Sequence, residues 1–264
     1  MIKQSLKFIL LVAGQGSRLR PYTNSIPKCL VEINNKSLLQ RQLDVINSLS
    51  QKKSVTLVAG YKAEKLEYLG LDLIKNLDYE TTNMVWSLFC AKEKLNQELV
   101  ISYGDIVYSK SVLEKLLKSS ADISIVIDKS WREYWSLRTD DPLEDAETLI
   151  LDKDDNIIEL GKAPKSYDQI QGQYIGLMKF SSDGIESLKE QFYKSLEIGS
   201  IQGRPPKECY MTDLIQEMID NGFEVKSIPI YGEWLEVDTT NDLNLNITIN
   251  RAKFIADNLE SSDY

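Results

Sequence analysis

The chain has 264 residues, 42% of them hydrophobic, and 31 basic against 40 acidic side chains leave a net charge of −9, so a sizeable core is available and a general nucleic-acid binder is excluded. Histidine is absent, which removes imidazole bases, histidine-ligated metals and Ser-His-Asp triads. Three widely spaced cysteines (Cys29, Cys90, Cys209) form neither a disulfide framework nor a zinc pattern, and no apolar run is long enough for a signal core or membrane span, so a soluble, cytoplasmic protein with no membrane partner is expected.

In chain order, the apolar run Lys7 to Ala13 predicts a buried strand, a polar glycine-containing loop follows, and Leu38 to Leu49 carries apolar residues at helical spacing. The alternation continues with strand Ser54 to Ala59, helices Ala63 to Leu69 and Met84 to Leu95, strand Glu98 to Tyr103, helix Ser109 to Leu117 and strand Ile123 to Asp128. Such alternation predicts an α/β fold with a doubly wound, mostly parallel sheet. Strands Leu149 to Leu151, Ile157 to Leu160 and Tyr174 to Phe180 then suggest a β-rich segment, with a turn at Asp154-Asp155-Asn156. Helices are expected at Gly184 to Leu196 and Met211 to Asn221, a strand at Val225 to Ile230, and a long closing helix from Asn241 to Leu259 before the polar tail Ser261 to Tyr264. Trp131 to Asp145, with two tryptophans and five acids, and Ile198 to Lys207 read as loops. The division expected is one domain over 1–264, with a half at about 1–128, a second at about 129–245, and a helix and tail at 246–264.

The first strand runs into Ala13-Gly14-Gln15-Gly16-Ser17-Arg18, where glycines let backbone N–H groups approach phosphate oxygens. A dinucleotide fingerprint would need a small residue in place of Leu19, and a Walker A loop would need glycine before its lysine, whereas Lys28 follows Pro27. What remains is G-x-G-x-R followed by Pro-Lys, two permanent cations around one glycine loop. Further on, Tyr103-Gly104-Asp105 puts a carboxylate just past a predicted central strand, at the edge where open α/β sheets bind ligands, and Glu236-Val237-Asp238-Thr239 follows a second apolar stretch.

This combination resembles the nucleotidyltransferases that join a nucleoside triphosphate to a phosphorylated small molecule, the family of sugar-1-phosphate nucleotidylyltransferases and phosphocholine cytidylyltransferases. The resemblance implies a Rossmann-like nucleotidyltransferase fold with a β-rich acceptor-binding segment, and Mg²⁺ held by Asp105 and Asp238. It implies that Arg18 and the loop amides hold the β and γ phosphates and that Lys28 bridges triphosphate and acceptor. Arg18, Lys28, Asp105 and Asp238 are then the catalytic set. Ala13, Gly14, Gln15, Gly16, Ser17, Gly60 and Asn83 join Arg18, Lys28 and Asp105 around the nucleotide. Lys162, in Leu160-Gly161-Lys162, matches a family lysine that contacts the acceptor phosphate.

Asn83 to Leu88 looks like the Asn-x-x-x-Ser-Leu stretch of the phosphocholine cytidylyltransferase branch, which points to CTP. Trp131, Trp135, Asp145 and Glu147 could cage an ammonium group through cation–π and ion-pair contacts, with Tyr174 as a further wall; equally, Trp131 and Trp135, one helical turn apart, could be core anchors. The stretches from Asp128 to Glu147, Ile158 to Tyr167 and Gln173 to Gly176 also look like cytidylyltransferases acting on phosphorylated glutamine or 2-aminoethylphosphonate, so phosphocholine-, phosphonate- and phosphoglutamine-type acceptors all stay open. The implied role is cell-surface polysaccharide or lipid decoration. A sugar-1-phosphate enzyme and a non-catalytic nucleotide-binding subunit are the alternatives, and a homodimer is left open.

Overall fold

The computed structural model describes residues 5–260, so the polar tail lies outside the described residues. Seven strands form the central sheet: β1 (Leu6–Val12), β2 (Lys53–Ala59), β3 (Asp72–Lys75), β4 (Leu99–Tyr103), β5 (Ile123–Asp128), β6 (Gln173–Phe180) and β7 (Lys226–Ile230). Their spatial order is β7-β5-β6-β4-β1-β2-β3. All neighbours run parallel except β6, which is antiparallel to both β4 and β5.

Alternation along β1 explains the two-sided core. Phe8, Leu10 and Val12 face one apolar cluster and Ile9 and Leu11 face the other, as a period of two requires when both faces are covered. Helices α1 (Leu38–Asn47), α2 (Met84–Cys90), α3 (Lys110–Leu117), α4 (Trp131–Arg138), α5 (Ser182–Ile198), α6 (Met211–Asp220), α7 (Thr240–Asn244) and α8 (Asn246–Glu260) flank the sheet. Residues of α1, α3, α4 and α8 share the first cluster, and residues of α2, α5 and α6 share the second. Ser37 begins α1 by accepting a hydrogen bond from the Gln40 N–H at 3.1 Å, and Gly199, at φ 82°, ends α5. Among the described residues no helix is long and apolar enough to cross a membrane.

Several expectations are corrected. Trp131–Arg138 is a helix, because Trp131, Tyr134 and Trp135 recur at i, i+3 and i+4 and bury one face. Ala63–Leu69 is 3-10 rather than α-helical, and the closing helix is interrupted at Leu245. The helix begun at Met84 ends at Cys90, with a short 3-10 turn at Lys92–Lys94. The strand containing Tyr174 belongs to the central sheet, while Leu149–Leu151 and Ile157–Leu160 form a separate hairpin. Strands Asp72–Lys75, Ile106–Tyr108 and Trp234–Glu236 were not anticipated. The last two pair with each other and hang the segment bearing Asp238 beside the segment bearing Asp105.

Candidate active site

A cleft of about 140 Å³ opens at the carboxyl ends of β1 and β4, lined by Ala13, Gly14, Lys28, Asn83, Asp105 and neighbours including Tyr79, Thr82 and Ser87. Here the chain leaves β1 toward β2 on one side while β4 lies on the other, a topological switch point. Gly16 adopts φ 62°, and a Cβ there would come within 3.0 Å of the Lys28 side chain. The turn Ser17–Leu19 follows directly, and the Thr23 hydroxyl donates to the Gly16 carbonyl at 2.7 Å. Gly60 and Gly104 serve close approach instead: a Cβ on Gly60 would meet the Ala13 carbonyl at 2.9 Å, and one on Gly104 the Leu11 carbonyl at 2.9 Å.

Lys28 reaches across this cleft. Its ammonium donates to Asp105 Oδ2 at 2.6 Å and also to Asp238 Oδ1, while the exposed Arg18 guanidinium stands 3.4 Å from the same Asp238 oxygen. Burial alone would lower the Lys28 pKa, but the two carboxylates outweigh it and hold the ammonium well above its ordinary range. Burial likewise opposes the Asp238 charge, yet Lys28 and neighbouring donors keep it well below the usual carboxylate range.

Side chains far apart in sequence fix these groups. Buried Gln42, on α1, donates to the carbonyls of Tyr103 (2.9 Å) and Ile106 (2.7 Å) and accepts from the Ser102 hydroxyl (2.8 Å). Its amide therefore clamps both ends of the Gly104-Asp105 loop. On the opposite wall, Asp242 at the start of α7 accepts from the backbone N–H groups of Asp238 and Thr239, both at 2.8 Å, completing a capping box with Thr239. Asp128 accepts from the Gly232 N–H at 3.0 Å and the Trp234 indole at 2.8 Å, anchoring the strand that leads to Asp238. Arg138 pairs with Glu236 at 2.6 Å and Asp242 at 3.0 Å. Burial pushes the Glu236 carboxyl up to about 8, against the pull of Arg138. Sequence reasoning gave no role to Gln42, Asp128, Arg138 or Asp242. A signal existed for Gln42 and Asp128 alone, each a polar or charged residue interrupting an apolar helical or strand pattern.

Of the residues expected around the nucleotide, Ala13, Gly14, Lys28, Asn83 and Asp105 line the cleft, whereas Gln15, Gly16, Ser17, Arg18 and Gly60 are not among its lining residues; the expected acceptor residues divide. Trp131 and Trp135 are each 4% exposed, and their indoles donate to the Ile170 carbonyl and to Asp145. Trp135 packs on Tyr134 and Trp234, with the Arg138 guanidinium over its ring at 5.1 Å. The two tryptophans are therefore core anchors, which corrects the cage reading. Tyr174 lies edge-to-face with Tyr103, ring centroids 5.7 Å apart, and burial raises both phenols. Glu147 is half-buried near Asp145, Asp213 and Arg204, and burial followed by the two acids pushes it up to about 7. Exposed Lys162 pairs with Glu159 at 2.8 Å, and neither it nor Tyr174 is among the residues lining the cleft.

Among the described residues no group of three or more His, Cys, Asp or Glu side chains could hold a metal ion. Asp105 and Asp238 nevertheless converge on one cation, the Lys28 ammonium. A pair of hard oxygen donors fits Mg²⁺, which commonly completes its shell with phosphate oxygens and water.

Residues 8–160 match the MobA-like NTP transferase domain. The chain is 39% identical over 251 residues to CTP:phosphoglutamine cytidylyltransferase of Campylobacter jejuni, covering 90% of this chain and 98% of that protein. It is 31% identical over 140 residues to choline-phosphate cytidylyltransferase of Streptococcus pneumoniae, covering 52% of this chain and 60% of that protein. In three dimensions it resembles the inositol-1-phosphate CTP transferase of T. maritima, with TM-score 0.71, 19% identity and coverage of 95% and 96% of the two chains. The crystallised CTP:phosphocholine cytidylyltransferase of S. pneumoniae gives TM-score 0.69 at 19% identity, covering 91% of this chain and 97% of that one. These two likenesses establish the same mostly parallel nucleotidyltransferase fold.

Proposed function

From the premise that this chain belongs to the MobA-like NTP transferase family, we propose that it is an Mg²⁺-dependent cytidylyltransferase acting on a small phosphorylated amine or amide of the phosphoglutamine type. The observation that carries the reading is Lys28, held between Asp105 and Asp238 beneath the glycine loop. The substrate class is supported by the near full-length identity to a phosphoglutamine enzyme.

The chemistry requires little of the side chains beyond placement. An anionic acceptor oxygen attacks the α-phosphorus of CTP in line, the new O–P bond forms, and the bond to the β-phosphate oxygen breaks to release pyrophosphate. The attacking oxygen is already unprotonated at neutral pH, so neither a side-chain nucleophile nor a general base is needed. That is consistent with a chain that has no histidine. The loop amides from Gly14 to Ser17 and the exposed Arg18 receive the triphosphate. Lys28 trades its carboxylate partners for phosphate oxygens and neutralises charge on the reacting group. Asp105 and Asp238, released from the ammonium, would hold the metal, which supplies electrostatic stabilisation of the α- and β-phosphate oxygens. Asn83, Thr82 and Tyr79 line the wall available to the base. Glu147 and Asp145 are the anchors for an acceptor ammonium, because a cation would offset the burial and the like charges of Asp213 and Asp145 that together push the Glu147 carboxyl up.

The test is pyrophosphate release with Mg²⁺, crossing CTP, UTP, GTP, ATP and dTTP against phosphoglutamine, phosphocholine, 2-aminoethylphosphonate and glucose-1-phosphate. Turnover with CTP and phosphoglutamine is the expected result. Preference for glucose-1-phosphate would overturn the acceptor class, and silence with every pair would overturn the activity.

A further inference from the structure

Arg138 is a buried guanidinium, its side chain 6% exposed, on a helix that the sequence presents as a loop. It contacts three acids at once: Glu236 Oε1 at 2.6 Å, Asp242 Oδ1 at 3.0 Å and Asp238 Oδ2 at 3.6 Å. The other Asp238 oxygen, Oδ1, is the one that faces Lys28 and Arg18. The two oxygens of this carboxylate are thus divided, Oδ1 to the cleft and Oδ2 to Arg138. Asp242 ties the arrangement to the main chain, since both its oxygens accept from Arg138, at 3.0 and 3.4 Å, and Oδ2 also accepts from the Asp238 and Thr239 N–H groups. Tyr134 and Trp135, with ring centroids 5.2 and 5.1 Å from the guanidinium carbon, flank it and limit its swing.

We propose that Arg138 is a positioning residue for the transfer reaction, fixing Asp238 so that Oδ1 is presented to whatever cation occupies the cleft. The inference rests on the nucleotidyltransferase reading above. It does not require Arg138 to touch either substrate. Lysine could supply the charge but not the planar fork that reaches separate carboxylates, so the geometry accounts for the residue type as well as its place.

Outer partners of a metal ligand typically change metal affinity by about 10- to 100-fold when removed. The test is Mn²⁺ affinity of the full chain saturated with CTP and lacking acceptor, read by water-proton relaxation, for wild type, Arg138→Gln and Arg138→Lys. Both variants should lose about tenfold or more, with kcat falling in parallel and acceptor KM little changed. Leu188→Ala, in the core on the opposite sheet face, controls for general loosening and should keep its Mn²⁺ affinity. Where Arg138→Gln does not fold, Arg138→Lys, which retains the charge, decides. A folded Arg138 variant with affinity within twofold of wild type would overturn the proposal, as would an equal loss in Leu188→Ala. Failure of the wild type itself to form a Mn²⁺–CTP complex would instead overturn the functional reading on which the proposal rests.

Discussion

Replacing Lys28 by Met removes the cation shared by Asp105 and Asp238 while keeping much of the side-chain volume. Breaking a buried ion pair from one side typically costs about 3–5 kcal/mol. The side chains here are 14%, 27% and 20% exposed for Lys28, Asp105 and Asp238, so water reaches the orphaned carboxylates, and about 2–3 kcal/mol is the reasoned figure. For a domain of this size that corresponds to a fall in Tm of roughly 4–12 °C. Mg²⁺ should recover part of the loss in the variant, because two carboxylates without an ammonium between them are free to take a divalent ion. In the wild type Mg²⁺ alone should shift Tm little, since the ammonium must first be drawn away by a triphosphate. Calorimetry of both proteins with and without Mg²⁺ and CTP checks the argument, alongside turnover, which should fall about 10²-fold or more in the variant. If Lys28→Met melts at the wild-type temperature whatever the Mg²⁺ concentration, or if Mg²⁺ alone stabilises the wild type as strongly as the variant, the reasoning fails.

Gln42→Leu should destabilise the chain by about 2–3 kcal/mol in urea titrations, because two buried carbonyls lose their donor, and should lower kcat through the slackened Asp105 loop. Gly104→Ala forces a Cβ to within 2.7 Å of Val12 and 2.9 Å of the Leu11 carbonyl; a cost of about 1–3 kcal/mol and reduced turnover are expected, and an Ala variant of full activity would count against the close-approach argument. Glu147 titrates near 7 in the folded chain, above its ordinary value, so the folded state binds more protons than the unfolded one between about pH 4.5 and 7 and stability falls as pH rises through that window. Glu147→Gln should abolish that fall, worth up to about 3 kcal/mol by pH 8, in Tm measured against pH; an unchanged profile would show that Glu147 does not titrate there. The same variant should raise acceptor KM more than CTP KM.

The strands buried on both faces were legible because β1, β2, β4 and β5 each carry a mostly apolar stretch rich in Ile, Leu and Val that no exposed element could tolerate. Asp72–Lys75 was not, since an edge strand of four residues, two half-buried and two exposed, carries no such stretch. Helix α4 was hidden by its charged outer face, although the spacing of Trp131, Tyr134 and Trp135 contained the signal. Around the cleft, the clustering of Gly14, Lys28 and Asp105 was legible because each stands in a short motif, glycine-rich or charged, close after a strand end or within one strand-to-helix crossing. Gln42 and Arg138 could not, because their roles depend on partners 61 and 104 residues away, a separation that local patterning does not encode. The misjudged cage has the same origin: whether an aromatic side chain is wall or foundation is decided by what packs on its faces.

The contact between Lys28 and Asp238 spans 210 residues of sequence, and the strand that delivers Asp238 is itself fastened by Arg251, whose guanidinium donates to the Trp234 carbonyl at 2.9 Å. A nascent chain emerging from the ribosome therefore forms β1, the glycine loop and Lys28 early, yet has no carboxylate partner from the far end until almost all the described residues have been made. Until then Lys28 has Asp105 alone of its two carboxylate partners. Long-range closures of this kind slow folding, and because one of the two carboxylates that meet Lys28 comes from the far end of the chain, a chain cut short before residue 238 lacks half of that pair.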